Sequence, residues 1–180
     1  MMKRLIILSD LWGKKKATWL TNYTELLKND FEIVFYDSCE LAEINTTIYT
    51  EENLHQQFVN GGIEKAIYKL FEIEKQNDTI VLAFSIGGTI AWNFAMQSNR
   101  KLLMYCISST RLRYESKKPL GNIFLYFSEN DKFVPKDTWF KIMNLPILKV
   151  KGNHDIYRDK NFATFVCEEI IKNKISYSKK

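Results

Sequence analysis

Six short apolar runs constrain the fold of this chain more than any other feature of its sequence. Each run is rich in Ile, Val, Leu and aromatic residues and is almost continuously hydrophobic, which is typical of strands buried on both faces of a parallel sheet. We predict strands at Arg4–Leu8, Glu32–Tyr36, Thr79–Phe84, Leu102–Ile107, Asn122–Phe127 and Pro146–Val150.

Helical patterns lie between most of these runs. We predict helices at Thr18–Lys28, Gly62–Gln76, Ile86–Gln97, Lys136–Met143 and Arg158–Lys172. The alternation predicts the α/β class, as a three-layer α/β/α domain with right-handed crossovers around a mostly parallel six-stranded sheet. The chain has 180 residues and contains no linker or internal repeat, so we predict a single domain over residues 1–180.

Composition argues against several classes of protein. No apolar run approaches the ~20 residues of a membrane helix. The N-terminal run Leu5–Leu8 is too short for a secretory signal and ends at Ser9, so we predict a cytoplasmic protein without membrane association.

The three cysteines, Cys39, Cys106 and Cys167, have no metal-ligand spacing, and only two histidines occur. We therefore predict no metal and no cofactor. No basic stripe interleaved with aromatics occurs, so we expect no nucleic-acid partner.

Ser85 lies at a junction between a predicted strand and a predicted helix, in the sequence Ala83-Phe84-Ser85-Ile86-Gly87. A nucleophile elbow has a serine at such a junction, with small residues two before and two after it, because the turn brings the backbones close together. Gly87 and the following Gly88 meet this need, whereas Ala83 replaces the usual first glycine. The pattern makes Ser85 a candidate nucleophile, although a serine at an ordinary strand end would also fit.

Two further polar residues follow later strands. Asp131 comes after the fifth predicted strand, and His154 comes after the sixth, in loops at the sheet edge where open α/β sheets place their functional groups. Either could be an ordinary loop residue, and Glu129 is a second candidate for the acid. However, the order serine, aspartate, histidine is that of a hydrolase elbow with its partners.

These residues and their order resemble the α/β-hydrolase family, and the resemblance extends over nearly the whole chain. In that family a serine attacks an acyl carbonyl, a histidine takes its proton and an aspartate orients the imidazole. By position, the resemblance implies these roles for Ser85, His154 and Asp131. It also implies an oxyanion hole of two backbone N–H groups. One is that of Ile86, and the other belongs to Leu11 or Trp12 in the loop after the first strand.

The chain is shorter than a typical member of that family. Two strands at the start of the usual eight are missing, which predicts the strand order 2-1-3-4-5-6. The lid is reduced to residues 108 to 121, so we expect an open, shallow site. We further expect Ser108, Ser109 and Thr110 to line the substrate pocket together with Trp12.

The four loops expected at the active-site edge carry an excess of positive charge. Residues 9–16, 108–120, 128–137 and 151–158 contain eleven lysines and arginines against six acidic residues, an excess equal to the net charge of +5. We call this group the basic rim. Its members are Lys14, Lys15, Lys16, Arg111, Arg113, Lys117, Lys118, Lys132, Lys136, Lys151 and Arg158. The rim is either an ordinary lysine-rich surface or a surface that attracts an anionic substrate or an acidic partner.

The sequence thus predicts a serine hydrolase that cleaves a carboxylic ester or thioester of a small molecule or an acyl-carrier conjugate. One alternative is a carboxylesterase acting on methyl esters linked to acyl-carrier protein, because the layout slightly resembles the enzymes of this kind in biotin synthesis. A second alternative is a non-catalytic binding protein with the same fold. A flavodoxin-like nucleotide or flavin binder is disfavoured, because the loop SDLWGKKKAT contains a single glycine.

Overall fold

A single six-stranded parallel sheet forms the centre of the computed structural model, which describes residues 2–177. The strand order is β2-β1-β3-β4-β5-β6, so the predicted fold class and the predicted order are both confirmed. The strands are β1 (Lys3–Leu8), β2 (Phe31–Tyr36), β3 (Thr79–Phe84), β4 (Leu102–Ile107), β5 (Gly121–Ser128) and β6 (Leu148–Val150).

Seven α-helices flank the sheet in the described part of the chain. They are α1 (Thr21–Leu27), α2 (Ser38–Leu41), α3 (Glu51–Gln57), α4 (Ile63–Ile73), α5 (Ile86–Ser98), α6 (Asp137–Met143) and α7 (Lys160–Tyr177). Helices α1 and α7 pack on one face of the sheet, and α2 to α6 pack on the other. Every residue of β3 and β4 is buried, which explains why these two strands are continuously hydrophobic in the sequence.

Some element boundaries differ from the prediction. The last helix begins at Lys160 rather than Arg158, because the Asp159 side chain accepts the Phe162 N–H and caps the first turn. Strand β6 has three residues rather than five, since only residues 148–150 pair with β5. The predicted first helix is divided, with a 3₁₀ turn at Thr18–Leu20 preceding α1.

The carboxyl ends of the parallel strands lie at one edge of the sheet, where the loops after β1, β3, β4, β5 and β6 meet. The connection from β4 to β5 contains only a short 3₁₀ turn, Thr110–Tyr114, so the predicted reduction of the lid segment is present in the structure. Within residues 2–177, no helix is both long and apolar enough to cross a membrane.

Candidate active site

Ser85 occupies a strained turn between β3 and α5. Its backbone angles are φ 49° and ψ −116°, a conformation that non-glycine residues rarely adopt. The turn is held from both sides, because the Ser85 N–H donates to the Ile107 carbonyl at 2.8 Å and the Ser85 carbonyl accepts the Gly88 N–H at 3.1 Å. A strained residue held this firmly is characteristic of a functional position.

The glycines after Ser85 are required by close packing. A Cβ atom on Gly87 would lie 2.4 Å from the Ser9 carbonyl oxygen, and one on Gly88 would lie 1.9 Å from the Ser109 Oγ. The elbow therefore packs directly against the end of β1 and against the loop after β4. Ala83 is fully buried in β3, so the space there admits a methyl group and the departure from glycine is accommodated.

The three residues proposed as a catalytic triad lie in hydrogen-bond contact. Ser85 Oγ is 3.0 Å from His154 Nε2, and His154 Nδ1 is 2.6 Å from Asp131 Oδ2. The Asp131 side chain is 2% exposed and that of His154 is 41% exposed, so the imidazole connects a buried acid to an accessible hydroxyl. The other candidate acid, Glu129, is exposed on the surface.

The environment of Asp131 keeps its carboxylate ionised. Burial opposes ionisation, but hydrogen bonds from His154 and from the Phe133 N–H, together with the nearby Arg113 charge, outweigh it and lower the Asp131 pKa below its ordinary value. An ionised acid beside Nδ1 favours the tautomer in which Nδ1 carries the proton and Nε2 is free to accept one. This arrangement suits His154 to act as a general base toward Ser85.

The loop that carries His154 is fixed by buried aromatic contacts. The Tyr157 ring lies 4.8 Å from the Trp19 ring and 5.4 Å from the Phe84 ring, measured between centroids. The Tyr157 carbonyl accepts the Tyr23 hydroxyl at 2.8 Å, and the His154 ring meets the Tyr157 ring edge-on at 6.4 Å. The imidazole therefore stands on a rigid support rather than on an independent surface loop.

The residues predicted to supply oxyanion donors differ in whether their backbone N–H groups are already engaged. Among residues 2–177, neither the Ile86 N–H nor the Leu11 N–H has a hydrogen-bond partner. The Trp12 N–H instead donates to Asp10 Oδ1 at 3.0 Å. Of the two residues predicted as the second donor, Leu11 is therefore favoured and Trp12 is already engaged.

The predicted substrate-pocket residues have different environments. Ser108 and Ser109 are fully buried, so neither side chain is exposed to solvent, and their place in the substrate pocket stays a prediction. The physical reason is the turn after β4, where Ser108 adopts φ 52° and Ser109 packs against Gly88 of the elbow. Thr110 and Trp12 are half-buried and remain candidates for contact with a substrate.

A cavity of about 350 Å³ lies beside Trp12. Its walls include Lys14, Lys15, Cys39 and Glu40, and none of the three triad residues lines it. No group of three potential metal ligands occurs in the part of the chain that the structure describes.

The sequence analysis did not single out Asp10, which the structure places between two loops of the candidate site. This side chain is fully buried and contacts both the loop after β1 and the loop that carries His154, through Trp12, Tyr157 and Arg158. A carboxylate placed directly after a buried strand at the functional edge of the sheet was a usable signal. Its partners Tyr157 and Arg158 lie almost 150 residues away, and no local spacing indicates them.

The sequence matches no family model and no curated protein. Solved structures do match. A protein from Xanthomonas campestris pv. campestris assigned to the α/β-hydrolase superfamily superposes with a TM-score of 0.68 at 16% identity, over 95% of this chain and 99% of the other. A serine hydrolase without a lid, also from Xanthomonas campestris, gives 0.59 at 10% identity, with 96% and 83% covered. Est1E from Butyrivibrio proteoclasticus gives 0.65 at 11% identity, with 99% and 89% covered. The protein therefore has the α/β-hydrolase fold.

Proposed function

We propose that this protein is a serine hydrolase that cleaves a carboxylic ester or thioester through an acyl-enzyme. The observation that carries the proposal is the continuous contact from Ser85 through His154 to Asp131, with distances of 3.0 and 2.6 Å. The strained elbow conformation of Ser85 and two unoccupied backbone N–H groups support it. A non-catalytic binding protein would not need the serine and histidine in contact.

In the proposed acylation step, Ser85 Oγ attacks the acyl carbonyl carbon while His154 Nε2 takes the hydroxyl proton. The carbonyl oxygen becomes an oxyanion that accepts the N–H groups of Ile86 and Leu11. Asp131 holds the imidazolium through Nδ1–H. When the tetrahedral intermediate collapses, the bond to the leaving group breaks and His154 returns the proton to the departing alcohol or thiol.

In the proposed deacylation step, a water molecule takes the place of the leaving group. His154 removes one proton from the water, and the resulting hydroxide attacks the acyl carbon of the ester on Ser85. Collapse breaks the bond to Ser85 Oγ, the serine recovers its proton and the carboxylic acid leaves. The open loop between β4 and β5 is consistent with a site that solvent and substrate reach directly.

A fluorophosphonate probe, which phosphonylates activated serines, tests this proposal. The folded wild-type protein should be labelled and should hydrolyse p-nitrophenyl or acyl-CoA esters, and Ser85→Ala should abolish both reactions. Ser98→Ala is the matched control, because Ser98 lies at the opposite end of the same helix. Labelling that survives Ser85→Ala, or no labelling of the folded wild type, would contradict the proposed function and leave a binding protein as the better explanation.

The basic rim supports a narrower substrate class, an acyl ester presented by an acidic carrier protein. Of its eleven cations, only Arg158 forms a salt bridge within residues 2–177. Several cations outside the rim do pair with carboxylates, as Lys28 does with Glu25 and Lys65 does with Glu43. Unpaired charges on several loops around one mouth attract an extended acidic surface more effectively than a single small anion.

The part of the basic rim around Arg113 contains residue types that are common at protein interfaces. Arg113 stacks over the Tyr114 ring at 4.3 Å and over the Phe133 ring at 5.4 Å. Both aromatic side chains are more than 60% exposed. Phe133 lies two residues after Asp131, so this stack borders the proposed active site. Exposed aromatic and arginine side chains are enriched where proteins bind one another.

Salt dependence separates a carrier-linked substrate from a free one. Raising the salt from about 50 to about 500 mM should lower kcat/KM for an ester on an acidic carrier about tenfold or more and leave the same free ester nearly unchanged. Arg111→Glu should reproduce the selective loss at low salt. Arg100→Glu, at the opposite edge of the sheet, is the matched control. Equal losses for both substrates would contradict the carrier proposal without affecting the hydrolase proposal.

A further inference from the structure

A buried carboxylate outside the triad, Asp10, joins the loop after β1 to the loop that carries His154. We propose that Asp10 is a positioning residue that fixes the Leu11 N–H as an oxyanion donor relative to Ser85 and His154. The inference rests on the proposed hydrolase function and adds a residue to it. The two carboxylate oxygens of Asp10 contact different loops.

The first oxygen of Asp10 organises its own loop. Oδ1 accepts the Trp12 N–H at 3.0 Å, and the Asp10 carbonyl accepts the Gly13 N–H at 3.2 Å. Together these bonds close a tight turn over residues 10–13. Leu11 lies inside that turn, and its N–H is left without a protein partner within residues 2–177. The turn thus engages the two donors that follow Leu11 and leaves the Leu11 N–H free, as an oxyanion hole requires.

The second oxygen of Asp10 binds the histidine loop. Oδ2 accepts the Tyr157 hydroxyl at 2.9 Å and lies 3.4 Å from Arg158 Nη2. Tyr157 is already held by the Tyr23 hydroxyl and by the aromatic rings around it. The histidine loop is thus held by contacts of its own, and the loop that contains Leu11 is anchored at its two ends by Ser38 and Asp37. Asp10 joins the two loops between these anchors.

An ionised aspartate suits this position better than any neutral side chain. Three donors from two loops converge on its two oxygens, and asparagine has only one oxygen that can accept them. If the asparagine oxygen faced Trp12, its NH₂ group would face the Arg158 guanidinium and leave that cation without its carboxylate. An uncharged replacement therefore cannot satisfy both loops at once.

The burial of the Asp10 carboxylate is not explained by a gain in folding stability from its charge. Asp10 is fully buried, and burial raises its pKa above the ordinary value despite the hydrogen bonds from Tyr157 and Trp12 and the nearby Arg158 charge. A raised pKa means that ionisation is less favourable in the folded protein than in the unfolded chain, so the charge itself does not stabilise the fold at neutral pH. A carboxylate that stays buried despite this cost, with donors from two functional loops on its oxygens, is a candidate for a functional role.

The test compares turnover with the binding of an oxyanion mimic. For Asp10→Asn we expect kcat to fall about 10²-fold with KM changed less than about threefold, because the interaction forms only in the transition state. The affinity of a trifluoromethyl ketone, whose serine adduct carries an oxyanion, should fall by a similar factor. Tyr105→Phe is the control, since it removes a buried hydroxyl bonded to Asn173 and to the Glu169 carbonyl in α7, away from both loops.

A second variant keeps the inference testable if Asp10→Asn does not fold. Tyr157→Phe removes one of the three donors to Asp10, so it should weaken ketone affinity by a smaller factor. Combined with Asp10→Asn it should add little, because both changes break the same link. Unchanged ketone affinity in either folded variant, or effects that multiply in the double variant, would overturn the role of Asp10. An inactive, unlabelled wild type would instead overturn the proposed function and this inference with it.

Discussion

Replacing Gly87 with alanine tests whether close packing holds the elbow at Ser85 in register with the oxyanion loop, by which we mean residues 9–14 after β1 with the proposed donor Leu11. The added Cβ would lie 2.4 Å from the Ser9 carbonyl oxygen and 2.9 Å from the Leu8 carbonyl oxygen. Carbon and oxygen atoms rarely approach closer than about 3.3 Å, so the two backbones must separate by about 1 Å. The Ser9 carbonyl also accepts the Ser38 hydroxyl at 2.7 Å, so it cannot rotate away without breaking that bond.

The expected loss of activity follows from where this separation acts. Ser9 precedes the proposed donor Leu11 by two residues, and Gly87 follows Ser85 by two residues, so the shift changes the distance between the oxyanion donor and the nucleophile. A misplacement of about 1 Å costs about 10²-fold in rate. Overpacking should also lower the free energy of unfolding by about 1–3 kcal/mol. For a chain of this size we expect Tm to fall by about 2–12 °C.

The assay is kcat on a p-nitrophenyl ester, measured well below the Tm of Gly87→Ala. Gly61→Ala is the control, because a Cβ there has no atom within 4 Å and only its φ of 107° is unfavourable. We expect Gly61→Ala to lose some stability and no activity. If Gly87→Ala retains both the kcat and the Tm of the wild type, the packing argument is wrong and the elbow does not set the position of the oxyanion loop.

Two further predictions concern ionisable groups. Asp131→Asn should lower kcat about 10⁴-fold by disfavouring the required His154 tautomer. Because the Asp131 pKa is lowered in the folded protein, its ionised form contributes stability above its unfolded pKa of about 3.9, and this contribution is lost as the pH falls through the folded pKa. The Tm difference between wild type and Asp131→Asn should therefore shrink in acid, and a constant difference would contradict this. Burial raises the pKa of Cys39, Cys106 and Cys167 to about 12, so a thiol-disulfide reagent at about pH 8 should react only after unfolding and should leave activity unchanged. Rapid modification of the native protein would refute the burial of these thiols.

The sequence predicted the sheet well because its strands carry the strongest local signal. Strands β3 and β4 are buried on both faces, and their predicted bounds match the structure. Asp131 and His154 could be located because the carboxyl ends of parallel strands share one edge, so position along the chain predicts proximity. The short edge strand β6 was overestimated, since its apolar residues extend beyond the three that pair.

The features that the sequence did not predict are contacts that no local pattern records. Ser108 and Ser109 follow a strand at the functional edge, as substrate-binding residues often do, yet both face inward because the chain turns sharply at Ser108. Asp10 was read only as part of a loop, since its partners Tyr157 and Arg158 come from the far end of the chain. In both cases a side chain's role depends on packing between loops, which sequence spacing does not encode.

The loop after β1 lacks the His-Gly sequence common in this fold, and side chains hold it in place. The Ser9 hydroxyl accepts the Ser38 N–H at 2.8 Å, while the Ser38 hydroxyl donates to the Ser9 carbonyl. At the other end of the loop, Asp37 Oδ2 accepts the Lys14 N–H at 2.7 Å.

With Asp10 holding the middle, the backbone is fixed before, within and after the position of Leu11. The N–H that we propose as the oxyanion donor therefore needs no reorganisation when charge develops on a substrate oxygen, and such preorganisation is the main source of oxyanion stabilisation. We therefore expect the local sequence Ser-Asp-Leu-Trp-Gly to serve the same purpose as the missing motif, because the anchoring groups come from Asp37, from Ser38 in α2 and from the histidine loop.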